Sequence, residues 1–224
     1  MRISDVKFQL GEFSLHWEQD FAFEKKIYGL MGSNGCGKTT VMKLLAGLFT
    51  PAHGHIDYEG LTAKDVTMVF RKPYLLHDTV YRNLVYPLKL RRSEIDESKI
   101  DFFLQMAGLS EKKNQYALSL SSGEQQKLSF IRALIFEPKV ILIDEAFSNM
   151  DIESVALFED YILTAQQKTP VTWVIISHQL SNYKRLCDYV FFMHKGKVAA
   201  HGTVGDILNN PQDGDLKNYL NYQA

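Results

Sequence analysis

The sequence lacks three features that would assign it to a specialised class of protein. It has two cysteines in 224 residues and so no disulfide framework, which favours a reducing compartment. Its formal net charge is −1, whereas dedicated nucleic-acid binders are clearly basic, so no nucleic-acid partner is expected. No apolar run approaches the roughly 20 residues that span a bilayer, and residues 1–5 lack the apolar core of a signal peptide. We expect a cytoplasmic protein, or one held at a membrane by a partner.

The composition is that of an ordinary globular protein, with 46% apolar and 23% charged residues. The length suits one large domain, or a domain with an inserted lobe. Alternating apolar residues in 1–26 predict antiparallel strands, with a hairpin turn at Gly11 and Glu12. Residues 51–55 are expected to form a turn, followed by a short strand at residues 56–58.

Three short runs are almost wholly apolar, at residues 27–31, 140–143 and 171–176. Such runs are typical of parallel strands that are buried on both faces under helices. Residues 71–138 differ, because their apolar residues recur at helical spacing. Thr79 is expected to cap one helix and Gly108 to end another. The pattern predicts an α/β fold with a helical insertion.

Residues 32–40, Gly-Ser-Asn-Gly-Cys-Gly-Lys-Thr-Thr, match the phosphate-loop pattern between a predicted strand and a predicted helix. Glycines allow the backbone to approach a polyphosphate, and successive N–H groups at the helix N-terminus then point at the anion. Lys38 adds a full charge, and the Thr39 hydroxyl can ligate Mg²⁺. A chance glycine-rich turn is the alternative. The candidate phosphate-binding residues are Gly32, Ser33, Asn34, Gly35, Cys36, Gly37, Lys38, Thr39 and Thr40.

One residue of this loop suggests a further property. Cys36 lies beside the predicted helix N-terminus, where a thiol tends to be acidic and reactive. We therefore expect alkylation of Cys36 to block nucleotide binding. The alternative is that cysteine merely fills a loop position without constraint.

Polar side chains follow two of the buried strands, at the edge where open α/β sheets bind ligands. Asp144 is suited to hold Mg²⁺, and Glu145 could activate an attacking water. His178 ends the run at 171–177 and could hydrogen-bond a terminal phosphate, although a histidine at a strand end is as often structural. With the phosphate loop, these residues predict hydrolysis of a nucleoside triphosphate.

Residues 120–127, Leu-Ser-Ser-Gly-Glu-Gln-Gln-Lys, open a predicted helix in which Ser121 and Glu124 have capping-box spacing. A helix N-terminus rich in Ser and Gly is also an anion site. The order of phosphate loop, Leu-Ser-x-Gly-Glu, Ile-Asp-Glu and Ser-His resembles the nucleotide-binding subunit of ATP-binding cassette (ABC) transporters. The match runs over nearly the whole chain.

The resemblance implies an α/β fold with a RecA-like P-loop NTPase core, an N-terminal antiparallel β subdomain and an inserted α-helical signature subdomain. It implies one domain over 1–224, with the ATP-binding core in 1–70 and 139–224 and the helical subdomain in 71–138. It also implies ATP and Mg²⁺, an integral membrane permease as partner and a peripheral position on the inner face of the cell membrane.

The resemblance further implies a head-to-tail dimer with a second ABC subunit, either a copy of this chain or a relative. Lys38, Thr39 and Asp144 would hold triphosphate and Mg²⁺. Glu145 would be the catalytic base, with Lys38 and His178 on the phosphates. The residues that would reach the other subunit's ATP or join the two sites are Ser121, Ser122, Gly123, Glu124 and Asp151.

The chain departs from the family's pattern at two positions. Arg71 stands where the family has glutamine after a Val-Phe strand; an arginine cannot ligate Mg²⁺ but could reach a phosphate or a partner carboxylate, or else turn outward. Ser122 replaces the first glycine of the signature and adds a Cβ near a phosphate. The aromatic residue that stacks on adenine is expected to be Phe13, with Phe8 as the second choice, although both could equally be core residues.

Residues 69–76 and 86–90 are similar to subunits of bacterial oxyanion importers such as those for tungstate or molybdate, although subunits of other specificity share the stretch. The single-domain layout also favours import. Two alternatives stay open: a soluble ABC-type ATPase acting on nucleic acid or ribosomes, and a weakly active regulatory module.

Overall fold

The computed structural model describes residues 1–223. The strands are β1 (Arg2–Leu10), β2 (Phe13–Trp17), β3 (Phe21–Ala22), β4 (Ile27–Met31), β5 (His53–Asp57), β6 (Val66–Val69), β7 (Val140–Asp144), β8 (Thr172–Ile176), β9 (Tyr189–His194) and β10 (Lys197–Thr203). The α-helices are α1 (Lys38–Leu45), α2 (Val80–Arg91), α3 (Glu97–Met106), α4 (Ser122–Leu134), α5 (Ile152–Lys168), α6 (Leu180–Leu186), α7 (Val204–Asn209) and α8 (Gly214–Gln223). The predicted α/β class is confirmed.

The strands form one sheet in the order β3-β1-β2-β10-β9-β4-β8-β7-β6, with β5 paired to β1. The strands from β9 to β6 in this order run parallel, whereas β1 pairs antiparallel with β2, β3 and β5. Every residue of β4, β7 and β8 is buried, because helices or sheet cover both faces. The C-terminal ends of β4, β7 and β8 therefore meet at one edge of the sheet.

Successive residues of the central strands supply two different cores. Ile141 and Ile143 pack with the buried residues of α2 to α5, while Leu142 packs with α1 and the N-terminal strands. This alternation follows from the period of two along a strand. The sheet is thus fixed from both sides, and the loops at its edge stand on a rigid base.

The caps predicted for the helices of residues 71–138 are confirmed. The Thr79 hydroxyl accepts a hydrogen bond from the Arg82 amide at the start of α2. Gly108 follows α3 with φ of 67°. Ser121 and Glu124 form both hydrogen bonds of a capping box at the start of α4. These local interactions fix where each helix begins or ends.

The prediction of a turn over residues 51–55 is wrong in part, because His53 already belongs to β5. This strand pairs with β1 around an irregularity between Ser4 and Lys7. A Cβ at Gly54 would lie 2.1 Å from the Asp5 carbonyl oxygen, and Gly54 has φ of 75°. The glycine that suggested a turn is instead the residue that lets two strands approach at a bulge.

The sequence did not predict α6, α7 or α8, whose apolar residues cover the sheet near β4 and β9. Among residues 1–223, no helix has the length and apolar character needed to cross a membrane.

Candidate functional site

The phosphate loop joins the buried end of β4 to α1. Gly32 has φ of 144°, and a Cβ there would lie 2.2 Å from the Met193 carbonyl oxygen, so only glycine fits. The loop wraps around the Lys38 ammonium, which donates to the carbonyl oxygens of Gly32 at 2.7 Å and Ser33 at 3.0 Å. Lys38 is only 6% exposed. The loop therefore holds its shape around a buried cation.

A cleft of about 400 Å³ opens over this loop. Phe13 is half-buried at its wall, and a Cβ at Gly37 would lie 2.8 Å from the Phe13 ring. Phe8 instead stacks on Phe49 with ring centroids 4.9 Å apart. This supports Phe13 over Phe8 as the aromatic residue for a base. The cleft is lined by Leu10, Phe13, Asn34, Gly35, Gly37, Lys38, Thr39, Thr40, Arg71 and Glu145.

Thr39 and Asp144 meet at the edge of the sheet. The Thr39 hydroxyl lies 3.0 and 3.2 Å from the two carboxylate oxygens of Asp144, which is 5% exposed. Burial raises the pKa of Asp144, and the Thr39 hydroxyl and the Lys38 charge counteract part of this effect. A hydroxyl and a carboxylate are oxygen ligands that suit Mg²⁺. These two residues could hold such an ion beside the phosphate loop.

Glu145 lies between two potential cations. It leaves β7 with φ of 51°, and its side chain is 9% exposed. Oε1 lies 2.9 Å from His178 Nε2, and Oε2 lies 3.0 Å from Arg71 Nη1. Oε2 has no partner with hydrogen-bond geometry among residues 1–223, so the contact with Arg71 is an ion pair without a directed hydrogen bond. The structure thus brings Glu145 and His178 together, as their strand ends suggested.

Arg71 meets Glu145 because of the strand register. Val69 of β6 pairs with Ile143 of β7, and two residues further on Arg71 and Glu145 leave the sheet side by side. The Arg71 side chain is 65% exposed. Arg71 thus contacts a carboxylate of its own chain, which the sequence analysis did not predict, while most of its side chain points outward.

The signature residues 121–124 lie at the start of α4, away from the cleft over the phosphate loop. Ser121 caps α4 and Glu124 completes the capping box, while Lys112 Nζ lies 2.5 Å from the Glu124 carboxylate and lowers the pKa of Glu124. A Cβ at Gly123 would lie 2.9 Å from the Asn149 carbonyl oxygen. Within residues 1–223, none of the residues 121–124 lines the cleft over the phosphate loop. The structure does not bring the two motifs of one chain together.

Asp151 is used locally as well. It caps α5 by accepting a hydrogen bond of 2.8 Å from the Ser154 amide, and its carboxylate lies 3.1 Å from Lys127 Nζ. The hydrogen bonds from Ser154, followed by Lys127, lower the pKa of Asp151. The ion pair with Lys127 ties the loop after β7 to the signature helix.

The prediction of an acidic thiol at Cys36 is wrong. The side chain is 3% exposed, and burial raises its pKa even though Lys38 Nζ lies 4.0 Å from the sulfur. A helix N-terminus lowers a thiol pKa only where the thiolate keeps some solvation. Here desolvation is the larger effect.

Gln126 is a further residue beside the site that the motifs do not predict. This residue of α4 is fully buried, and its Nε2 donates to the Phe70 carbonyl oxygen at 3.0 Å. The hydrogen bond links the signature helix to the backbone just before Arg71. A signal was present, since Gln126 lies four residues before the buried Phe130 and therefore on the same side of the helix.

Comparison with known proteins identifies the family. A family model described as "ABC transporter" matches residues 21–148, more than half of the chain. The tungstate uptake system ATP-binding protein TupC of Peptoclostridium acidaminophilum is 33% identical over 204 residues, covering 88% of this chain and 95% of that protein. This chain belongs to the ABC transporter family. The predicted ABC nucleotide-binding subunit, with its ATPase function, is confirmed.

Other relatives in the ABC transporter family are longer. The methionine import ATP-binding protein MetN 1 of Bacillus anthracis is 33% identical over 212 residues, which are 88% of this chain and 61% of that protein. A solved ATP-binding subunit of an ABC transporter has a TM-score of 0.84 at 22% identity, covering 98% of both chains. A bacterial Atm1-family ABC exporter with ATP bound has a TM-score of 0.82 at 22% identity, covering all of this chain and 42% of that one. The two structures establish the shared fold.

Proposed function

We propose that this ABC chain binds ATP with Mg²⁺ and hydrolyses it to power import through a separate membrane permease. One observation carries the proposal: Lys38, Thr39, Asp144, Glu145 and His178 converge on the sheet edge beside a cleft lined by the phosphate loop. Each supplies a group that phosphoryl transfer requires, namely charge, metal ligation or proton acceptance.

In the proposed reaction, a water oxygen attacks the terminal phosphorus of ATP. Glu145 accepts the proton that the water loses, the bond to the bridging oxygen breaks, and ADP and phosphate leave. A positioned base of this kind contributes about 10²- to 10⁴-fold in rate. His178 is 42% exposed beside Glu145 and would donate a hydrogen bond to the terminal phosphate. Lys38 would turn from the carbonyl oxygens of Gly32 and Ser33 to the phosphates.

The Mg²⁺ site would be formed by Thr39 and Asp144. Their oxygens already lie within 3.2 Å of each other at the mouth of the loop. A bound Mg²⁺ neutralises charge on the phosphate oxygens during transfer. The ionised form of Asp144, which burial disfavours, would be the form that holds the ion.

The working unit would be a dimer with a second ABC subunit. Residues 121–124 are set apart from their own cleft, and Ser121 and Ser122 are exposed at the start of α4. A helix N-terminus presents free N–H groups that suit an anion. A second subunit, arranged head to tail, would place these groups on the terminal phosphate of the first subunit's ATP, so that each site needs two chains.

The membrane permease would dock on a groove beside α2. Tyr74, Tyr86 and Leu90 are 68%, 47% and 65% exposed around a cleft of about 330 Å³. An exposed apolar groove of this kind suits an apolar helix or loop of a partner protein. The groove also includes Phe70, the residue before Arg71. Because Arg71 contacts Glu145, a movement of the bound partner would be transmitted through Phe70 and Arg71 to the proposed catalytic base. A connection between the groove and the ATP site is what a membrane subunit driven by ATP hydrolysis requires, so we propose that this subunit binds in the groove.

The transported substrate is proposed to be an oxyanion of the tungstate type. The support is the similarity of the tungstate uptake subunit over 95% of its own length, together with the stretch at residues 69–76. A transport assay with a labelled oxyanion and with methionine, in membranes that contain the permease, distinguishes this class from an amino acid.

Co-purification from native membranes tests the proposal. Tagged Glu145→Gln chain is captured with ATP and Mg²⁺, and a polytopic membrane protein in stoichiometric amount is expected. The control is Leu90→Glu in the same background, which should lose the membrane protein and keep ATP binding. Capture of ribosomes or nucleic acid, with no membrane protein, would favour the soluble alternative. Failure of the wild-type chain to bind or hydrolyse ATP would contradict the whole proposal.

A further inference from the structure

The ion pair of Arg71 with Glu145 involves the residue that is proposed to accept the proton from water. The carboxylate is 9% exposed, and among residues 1–223 the only counter-charge on its Oε2 is the Arg71 guanidinium, at 3.0 Å. A carboxylate in such a site needs a cation nearby, because burial removes most of its hydration. Arg71 therefore supplies part of what stabilises Glu145 in this structure.

The ion pair between Arg71 and Glu145 can be broken at little cost. The guanidinium is 65% exposed, the contact lacks hydrogen-bond geometry, and among residues 1–223 this is the only ion pair that Arg71 forms. An exposed arginine side chain changes rotamer at little cost, in contrast to the buried ammonium of Lys38. Arg71 can thus leave Glu145 for a stronger anion without disturbing the fold.

The stronger anion would arrive in the adjacent cleft. Arg71 and Glu145 both line the cleft over the phosphate loop, beside Lys38 and Thr39. A terminal phosphate offers two or three charged oxygens and suits the planar fork of a guanidinium, whereas Glu145 offers one oxygen. ADP has no phosphate at that position. The position of Arg71 would therefore differ between the ATP-bound and ADP-bound chain.

We propose that Arg71 is paired with Glu145 when the site is empty or holds ADP, and moves to the terminal phosphate when ATP binds. The exchange frees Glu145 to accept a proton only when there is a triphosphate to hydrolyse. The inference rests on the proposed function and deepens it, since it assigns to Arg71 the distinction between ATP and ADP.

The first test compares nucleotide affinities. The dissociation constants of ADP and of a non-hydrolysable ATP analogue are measured by fluorescence with Mg²⁺, at concentrations that keep the chain monomeric. Arg71→Gln should weaken the ATP analogue about tenfold and change ADP by less than about twofold, since one charge-assisted contact to the terminal phosphate is lost. Arg71→Lys should recover part of the loss. Lys72→Gln, which removes the neighbouring exposed cation, is the matched control and should leave both constants unchanged.

The second test needs no nucleotide. Thermal unfolding of the empty chain is measured for Arg71→Gln alone and in the Glu145→Gln background. Arg71→Gln should lower Tm by about 2–4 °C when Glu145 is present, because a buried carboxylate loses its counter-charge, and should change Tm little in the Glu145→Gln background.

Two results would overturn the inference. One is an equal change in the affinities for ADP and the ATP analogue, including no change in either. The other is the same drop in Tm in both backgrounds. A wild-type chain that bound neither nucleotide would instead contradict the proposed function itself, and the inference with it.

Discussion

The sheet edge and the N-terminus of α4 are both proposed to bind anions, but they are built in opposite ways. At the sheet edge, Lys38, Asp144 and Glu145 are largely buried, and functional side chains contact one another, as Thr39 does with Asp144 and Glu145 does with His178. At the start of α4, Ser121 and Ser122 are exposed, and the contacts of Glu124 are local. The side chains of the sheet edge are thus already in contact with one another, whereas the start of α4 is an exposed helix end held by its own cap.

The difference indicates where each region finds its ligand. Asp144 and Glu145 at the sheet edge are held by contacts with other side chains, and this arrangement reduces the cost of ordering them on binding. The exposed start of α4 has its own side chains satisfied by the capping box, which leaves backbone N–H groups free for an outside anion. A chain with both regions is suited to share its ATP sites with a second chain.

The largest expected effect concerns the sheet edge. Glu145→Gln should reduce ATP hydrolysis about 100-fold or more, because the base is removed while the shape is kept. With ATP and Mg²⁺ the variant should accumulate as a dimer, measured by light scattering after gel filtration. Glu153→Gln, an exposed acid in the first turn of α5, is the control and should behave as wild type. A variant that hydrolyses ATP normally, or stays monomeric with ATP, would contradict the assigned role of Glu145.

A mixing experiment tests whether the two regions act across chains. Lys38→Ala should disable the phosphate loop, and Ser122→Glu should repel the partner's phosphate while its charge still suits a helix N-terminus. Each variant alone is expected to be nearly inactive. A mixture should recover activity, because a mixed dimer contains one intact site. No recovery despite demonstrated mixed dimers would argue that both motifs act within one chain.

A smaller effect is expected at Ser121, where two roles can be separated: capping α4 and contacting the ATP of a second subunit. Ser121→Ala should lower the free energy of unfolding by about 1 kcal/mol through loss of the cap, and should also weaken ATP-driven dimerisation. Thr79→Ala removes a comparable cap from α2, so the stability should fall by a similar amount with dimerisation unchanged. If the two variants affected dimerisation equally, Ser121 would have only a structural role as the cap of α4.

The smallest expected effect is the acid dependence of the signature region. The Lys112 ammonium and the Ser121 amide hold the pKa of Glu124 below its usual 4.5. A lowered pKa stabilises the folded state above the unfolded pKa, and this stabilisation is lost as pH falls through the folded pKa. Between pH 5 and pH 3 the wild-type chain should therefore lose more stability than Glu124→Gln, measured by thermal melts. Glu111→Gln, at an exposed position, is the control; parallel pH profiles for the wild type and Glu124→Gln would contradict the assignment.

Features that depend on neighbouring residues were predicted well. The helix cap at Thr79, the capping box of Ser121 with Glu124 and the buried strands β4, β7 and β8 follow from spacing and local composition. The strand β5 was misjudged, because the glycine that resembles a turn residue is required by a bulge in a strand far away in the sequence. The thiol of Cys36 was misjudged because its burial depends on the surrounding chain.

The sequence by itself determined the motifs: a phosphate loop, two acids at the end of a buried strand, a capped signature helix and membership of the ABC family. Only the tertiary structure decided which of these groups meet. Thr39 and Asp144 are 105 residues apart, and the contact of Arg71 with Glu145 exists because β6 and β7 are neighbours in register. Local motifs are set by short-range sterics and hydrogen bonds, whereas the order of strands is set by packing of the whole chain.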